Sequence, residues 1–318
     1  MTGVGYAGGK TILLGEHSVV YGGPAIAAGI DRGARALATV IDKGPSRLFI
    51  RGWGLSASET DDDNDLARAF RALLTAARGR DGVQGHCEVE VEASLPPGGG
   101  LGCSAAIGVA IARSLDTRAP ETTVLDWTMA WEQVFHGNPS GVDAALSARG
   151  GCFVFRKGAP LEPVRLRGPL YLCIGNTGAT SSTKTMVEAV ARLRERKPEL
   201  VEQTFEAIRV LVNNARLAIE AGDRQALGRL MDLNQMLLSG LFVSTSEIER
   251  MCGAARAAGA LGAKLTGAGG GGSVVALAPT LSASDAILAA WKAEGFDGFL
   301  ASVVPDARGR ELENGRAP

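Results

Sequence analysis

From Pro96 to Ser104 the chain reads Pro-Pro-Gly-Gly-Gly-Leu-Gly-Cys-Ser, and a run of small apolar residues follows directly. Glycines let a backbone come close to an anion, and a helix opening at the end of the run adds unpaired N–H groups and a favourable dipole. A hydroxyl at Ser104, in the first turn of such a helix, could face a phosphate or its magnesium. No Gly-Lys-Ser/Thr follows, so this is not a Walker loop. Counted from Gly98, the strict dinucleotide pattern GxGxxG fails at Cys103; counted from Gly100, the looser GxGxxA form is met by Gly100, Gly102 and Ala105. A dinucleotide fold would place a second parallel strand next, yet Val124–Phe135 has the pattern of a helix. Taken alone, the run suits an anion site and a structural turn about equally.

Three more segments carry polar residues beside glycine. Lys264–Ser273 holds five glycines in the six positions 267–272 and leads into apolar strand sequence, which favours a close backbone approach over a flexible linker. Gly8–Gly22 carries Lys10 and the pair Glu16–His17 around a short apolar strand, which sets Lys10 and Glu16 at opposite ends so that they need not act together. Trp131–Asp143 contains His136, Pro139, Ser140 and Gly141 in a turn before an Ala-rich helix, and by itself Asp143 reads as the N-cap of that helix.

The elements that must hold these segments alternate between strands and helices. Thr11–Leu14, Ala34–Ile41, Arg47–Arg51 and Cys87–Ala93 read as strands; in the last, Val89, Val91 and Ala93 face one way and Glu88, Glu90 and Glu92 the other. Leu66–Arg78, Ala105–Leu115 and Val124–Phe135 read as helices, and the acidic run Glu59–Asp65 as a solvated loop whose end caps the first of them. Gly151–Phe155 and Pro169–Ile174 are further strands. Helices follow at Thr183–Arg196, Glu199–Glu220, Arg224–Leu238 and Glu247–Ala258. In the second of these Phe205, Ile208, Leu211, Ala215 and Ile219 share one face. Ser273–Ala278 and Phe299–Val304 are strands around a helix at Ala283–Glu294. Glycines and Pro160, Pro163 and Pro169 place a boundary near 150–170, so the class is α+β or mixed, in two lobes.

A chain of 318 residues with 46% hydrophobic residues fits two modest domains. With 33 basic and 34 acidic residues no positive field exists to hold a nucleic-acid backbone. The five cysteines form no CxxC pair, and the three histidines lack metal-ligand spacing, which points to a reduced, intracellular protein without a disulfide framework. No signal peptide is visible, and the apolar stretch from Ser18 to Ile30 is interrupted by three glycines and Pro24, so a soluble, cytoplasmic protein without a membrane partner is expected.

Together the four glycine-bearing segments resemble the GHMP kinase superfamily of small-molecule kinases. Lys10–Gly22 with its core Gly15-Glu-His-Ser-Val-Val-Tyr-Gly22, Pro96–Ala106, His136-Gly-Asn-Pro-Ser-Gly-Val-Asp143 and Lys264–Ser273 lie in that family's order, and Asn234–Ser246 with Gly259–Lys264 are also similar to it. Within the superfamily the first segment looks like that of the mevalonate kinase branch. Galactokinases continue with Thr-Asp after Gly-Glu-His, phosphomevalonate kinases usually replace the histidine, and homoserine kinases lack the pair; the phosphomevalonate kinases are the nearest alternative. The resemblance implies a ribosomal-protein-S5-like α/β lobe followed by a ferredoxin-like α/β lobe with extra helices. It divides them at 1–158, ATP-binding and catalytic, and 159–318, the C-terminal GHMP domain. It also implies phosphorylation of the 5-hydroxyl of mevalonate by ATP and Mg²⁺, in isoprenoid biosynthesis, and leaves monomer and homodimer open.

The resemblance further assigns roles. Pro96, Gly98, Gly99, Gly100, Leu101, Gly102, Cys103, Ser104 and Ala105 would form the ATP loop, with Ser104 and Glu132 holding Mg²⁺. Asp143 would accept or orient the proton of the substrate hydroxyl, and Lys10 beside it would lower the pKa of that hydroxyl and neutralise charge at the transferring group. Glu16, His17, Ser140, Thr183, Gly267 and Ala268 would lie on the substrate side. A non-catalytic nucleotide or metabolite sensor of the same fold should lack Lys10, Glu132 or Asp143, and all three are present. Two positions depart from the family. Cys103 stands where serine is usual, and at a helix N-terminus its thiol is expected to ionise readily and react. Phe242 stands where glycine is frequent, for which composition and spacing offer no reason.

Overall fold

The first strand, β1 (Thr2–Leu14), begins well before the expected Thr11. The computed structural model, which describes residues 2–79, 83–179 and 182–304, shows why. A Cβ on Gly3 would lie 2.1 Å from the Ser114 carbonyl oxygen, and one on Gly5 2.1 Å from that of Ala110. These glycines let β1 lie against a helix, and such a strand carries little apolar alternation to reveal it. A 3-10 turn at Ser18–Tyr21 leads into β2 (Ala25–Ile41), which pairs with β1. The apolar stretch from Ser18 is therefore this turn and the start of β2; among the described residues no helix is long and apolar enough to cross a membrane.

Two compact units follow from the contacts: Met1–Lys10, Arg32–Pro97 and Gly102–Arg149 form the first, and Thr11–Asp31, Gly98–Leu101 and Gly150–Pro318 the second. In the first, β3 (Arg47–Arg51), β4 (Leu55–Ser58), α1 (Asp65–Ala77) and β5 (His86–Ala93) precede α2 (Cys103–Leu115), α3 (Glu121–His136) and α4 (Val142–Arg149). The strands lie in the order β4-β3-β5-β2, with β3 parallel to β5 and the other pairs antiparallel. Val89 and Val91 are buried as their alternation requires, alongside Phe70, Leu73 and Leu74 of α1.

The acidic run before α1 is more than a solvated loop. Asn64 caps the helix, its Oδ1 accepting from the Ala67 N–H at 2.8 Å. Glu59, with a side chain 11% exposed, accepts from the Ser46 N–H at 2.7 Å, Arg78 Nη1 at 2.6 Å and His86 Nδ1 at 2.9 Å. Burial alone would raise its carboxyl, but these donors outweigh burial and hold it down at about 2.

In the second unit Ala25–Ala28 of β2 pairs with β6 (Cys152–Phe155), which pairs with β7 (Glu162–Pro163). β8 (Leu170–Asn176) is followed by α5 (Thr183–Arg196), α6 (Pro198–Ala221), α7 (Arg224–Gly240) and α8 (Ser246–Ala257). β9 (Gly262–Thr266), β10 (Ser273–Ala278), α9 (Ser284–Ala293) and β11 (Asp297–Val303) complete it. An antiparallel sheet runs β11-β8-β10-β9, with α7 and α8 against β9 and α9 against β8 and β11. The buried stripe of α6 uses Val212 where helical spacing suggested Leu211, because the helix presents its Phe205–Ile208–Val212–Ala215 ridge inward.

The connection Gly267–Gly272 is packed. A Cβ on Gly269 would lie 2.2 Å from the Val243 carbonyl oxygen, and one on Gly271 2.7 Å from that of Ala179. Val243 also accepts from the Gly270 N–H at 2.7 Å. Phe242, just before it, has φ 60 and a side chain left 75% exposed. That backbone state suits glycine, which gives a physical reason for the residue usual at this position.

Candidate active site

In the first unit the site is assembled by small-residue contacts. Gly102 takes a left-handed conformation, φ 69 and ψ 29, to turn the chain into α2. A Cβ there would lie 2.8 Å from Lys10 Cγ, so the missing side chain is what admits the lysine stem of β1. Gly108 does the same one level down: its Cβ would lie 2.8 Å from Trp131 Cδ1. Trp131 Nε1 donates to the Ser104 carbonyl oxygen at 3.1 Å and to Ser104 Oγ at 3.2 Å, docking α3 on α2. The next residue, Glu132, is thereby delivered to Ser104, whose Oγ donates to its Oε1 at 2.5 Å.

Arg113 completes the frame. Its guanidinium donates to the Tyr6 carbonyl oxygen of β1 and the Ala148 carbonyl oxygen at the end of α4, both at 2.6 Å. With β1 and α4 so tied, Lys10 Nζ stands 3.4 Å from Asp143 Oδ1. Asp143 lies in the first turn of α4 rather than at its N-cap, and Ser140 Oγ accepts from the Val142 N–H at 3.4 Å in the turn before it. The Lys10 side chain is 12% exposed and that of Asp143 43%, so the pair is open to a ligand.

Glu132 is buried, and burial raises its carboxyl; the Ser104 hydroxyl and His136, 3.7 Å away, oppose the rise. A hard cation would relieve that burial, and a hydroxyl beside a carboxylate supplies the oxygen donors it prefers. Among the described residues no group of three or more His, Cys, Asp and Glu side chains could hold a metal. Magnesium held here would therefore rest on Ser104 and Glu132 with phosphate oxygens and water. Along the loop, the opening turn of α2 leaves its N–H groups for an anion, the first helical bond being that from the Ala106 N–H to the Gly102 carbonyl oxygen at 2.9 Å. Gly98 and Gly100 take positive φ, 73 and 71; within the second unit, to which Gly98–Leu101 belong, Gly99 accepts from Ser273 Oγ at 2.8 Å.

Cys103 does not behave as expected of a thiol at a helix start. It is buried, Sγ lies 3.8 Å from the Leu95 carbonyl oxygen, and burial pushes it up to about 11. Desolvation outweighs the helix dipole, so this thiol is not an activated nucleophile.

In the second unit Glu16 and His17 follow β1. Glu16 is buried and bonded to Lys264 Nζ through Oε1, while Asn234 Nδ2 donates to its Oε2 at 3.1 Å. Burial raises the Glu16 carboxyl and lowers the Lys264 ammonium, and their mutual attraction opposes both. His17 Nε2 bonds the Ala268 carbonyl oxygen at 2.8 Å, and burial lowers its imidazole. A carbonyl can only accept, so Nε2 carries the hydrogen and a neutral ring offers Nδ1 as an acceptor. Thr11 and the Ile12 N–H bond Thr266 Oγ1 at 3.1 and 3.0 Å, holding β1 to the strand that feeds the Gly267–Ala268 turn. Thr183 is exposed at the first position of α5, which Ser182 caps.

Four associations therefore emerge: Lys10 with Asp143, Ser104 with Glu132, Glu16 with Lys264, and His17 with Ala268. Lys10 and Glu16 do take separate partners. Trp131, Arg113 and Asn234 were not assigned roles from spacing. Lys264, a cation inside a short strand beside a glycine run, was the visible sign of the buried pair.

The chain is similar to known kinases. The family profile described as the GHMP kinases N terminal domain matches residues 64–151, and that described as GHMP kinases C terminal matches 215–297. A mevalonate kinase of Pyrococcus horikoshii is 37% identical over 292 residues, covering 85% of this chain and 87% of its own. That of Pyrococcus abyssi is 38% identical over 296 residues, with the same coverage. Among solved structures, L. major mevalonate kinase in complex with R-mevalonate superposes with a TM-score of 0.82 at 29% identity, covering 96% of each chain.

Proposed function

We propose that this chain, which belongs to the GHMP kinases, transfers the γ-phosphoryl group of ATP to the 5-hydroxyl of mevalonate, giving 5-phosphomevalonate and ADP. The observation that carries the reading is the Lys10–Asp143 pair, 3.4 Å apart, with the Asp143 side chain 43% exposed in the first turn of α4. Likeness to mevalonate kinases supports the choice of substrate.

Phosphoryl transfer needs positioning and charge neutralisation more than covalent work by the protein. The substrate oxygen forms its bond to the γ-phosphorus as the bond to the bridging oxygen of ADP breaks. Asp143 takes or orients the hydroxyl proton, and Lys10 offsets charge on the transferring group. The glycine turn from Pro96 and the open N–H groups of α2, from Cys103 to Ala105, receive the phosphates. Magnesium, held by Ser104 and Glu132, would neutralise phosphate charge. Glu16, His17, Ser140, Thr183, Gly267 and Ala268 are assigned to the mevalonate side, His17 Nδ1 accepting from a substrate hydroxyl. The same reading takes 1–158 as the ATP-binding and catalytic domain and 159–318 as the C-terminal domain, in a cytoplasmic enzyme of isoprenoid biosynthesis.

Offering the purified protein ATP and Mg²⁺ with mevalonate, phosphomevalonate, galactose or homoserine tests the substrate. ADP release with mevalonate is expected. Release with phosphomevalonate and not mevalonate would overturn the substrate, and release with none would favour a sensor.

A further inference from the structure

Lys264 has no part in the chemistry above, yet it is the more unusual lysine. Its side chain is 0% exposed, and a lysine is almost never fully buried unless paired. Nζ bonds Glu16 Oε1 and the Leu265 carbonyl oxygen. Asn234 of α7, equally buried, holds the other carboxylate oxygen of Glu16. The neighbouring Gln235 fixes α7 to β9, its Oε1 accepting from the Leu265 N–H at 2.9 Å and its Nε2 donating to Ser244 Oγ and Glu249 Oε1 at 2.9 Å. Glu16 is thus gripped from a strand and from a helix that are themselves tied together.

What that grip restrains is the next residue. His17 has φ 61 and ψ −49; among the described residues only it and Phe242 are non-glycine residues with positive φ. Such a conformation persists where the surroundings over-determine it. The turn is closed by bonds from the Ser18 N–H to the Glu16 carbonyl oxygen at 2.7 Å and from the Val20 N–H to the His17 carbonyl oxygen at 3.0 Å. The ring is fixed separately by Ala268, in the loop that Lys264 and β9 lead into. Lys264 therefore stands at the root of both restraints, on the backbone through Glu16 and on the imidazole through the loop.

We propose that Lys264 is a positioning residue for the substrate: with Asn234 it clamps Glu16 and so holds His17 in the strained turn from which its ring meets mevalonate. This rests on the assignment of His17 to the mevalonate side. A purely structural lysine would affect stability and leave the two substrates' KM values alone or move them together. A positioning lysine acts on one substrate.

The test is steady-state kinetics, with thermal melts as a check of folding, on Lys264→Gln, Asn234→Leu, the double variant and His17→Ala. Lys264→Gln keeps a short donor, and Asn234→Leu leaves the ion pair in place should the first variant fold poorly. Each is expected to raise KM for mevalonate about tenfold or more while KM for ATP and kcat stay within about twofold. The double variant should fall short of the product of the two, since both act through Glu16. A folded Asn234→Leu or Lys264→Gln protein with unchanged KM for mevalonate, or with both KM values raised alike, overturns the proposal. If His17→Ala raises KM for mevalonate and the other variants do not, positioning by Lys264 alone fails. If His17→Ala leaves KM for mevalonate unchanged, the assignment of His17 fails and the proposal with it.

Discussion

Two lysine–carboxylate pairs, one in each unit, are built in opposite ways. Lys10 and Asp143 stand 3.4 Å apart with side chains 12% and 43% exposed. Lys264 and Glu16 are in closer contact, at 0% and 1%. A pair facing water is worth about 0–1 kcal/mol, so Asp143 can exchange Lys10 for a ligand with little loss. A pair taken wholly out of water cannot be parted: removing one partner strands a buried charge at a cost of about 3–5 kcal/mol. The same residue types thus form a pair that a ligand can reach in one place and a buried anchor in the other, and solvent access decides which.

The comparison breaks if the two pairs respond alike to substitution. Asp143→Asn should lower kcat by at least ~10²-fold, the usual worth of a positioned acid or base, and leave stability within ~0.5 kcal/mol. Turnover within a few-fold of wild type would remove the proton-handling role. Lys264→Met should do the reverse in a urea titration, losing about 3–5 kcal/mol. An unchanged unfolding midpoint would mean that the buried pair is not what holds the turn.

Glu59 sharpens the contrast as an intermediate case, buried to 11% exposure yet fed by Arg78, Ser46 and His86. Its folded value of about 2 lies below the ordinary 4.5. Its contribution is therefore fully present above pH 4.5 and is lost as pH falls towards 2. Discounted for solvent screening, Glu59→Gln should cost about 1–2 kcal/mol at pH 7 and flatten the stability profile through that acid range. Equal slopes for the two proteins would show that its partners do not depress it.

The smallest effect is expected at Phe242. Its strained backbone, φ 60, carries a mostly exposed ring, so Phe242→Gly should raise stability by about 1 kcal/mol. A loss instead would show that the ring contributes more than the strain removes. His17, the other non-glycine residue with positive φ among the described residues, should not tolerate glycine in the same way if its ring is what the turn exists to present.

Much of the fold was legible because local patterns carry it. α5 spans the expected residues, and α6 to α9 end within one or two residues of the 3.6-residue periodicity. β3 and β10 match residue for residue, Phe49 and Ile50 in one and Val274 and Val275 in the other giving the strand signal. β9 and the start of β1 were not legible, since glycine and a buried lysine replace the apolar signal there. The glycine run, the paired Lys10 and Asp143 and the paired Ser104 and Glu132 were all marked by type and motif order.

By itself the sequence determined which side chains were available for phosphate, proton and cation, and that the backbone near them had to be glycine. Only the tertiary structure decided their environments. Burial, which no local pattern reports, turned Cys103 from an expected reactive thiol into one pushed up to about 11. Lys264 of β9 and Asn234 of α7, meeting in the turn after Leu14, made Glu16 an anchored carboxylate and Lys264 its counterion, whereas an open turn left Asp143 within reach of solvent. The reason is dielectric: a charge's behaviour depends on how much water and which dipoles surround it, and those come from residues far away in sequence.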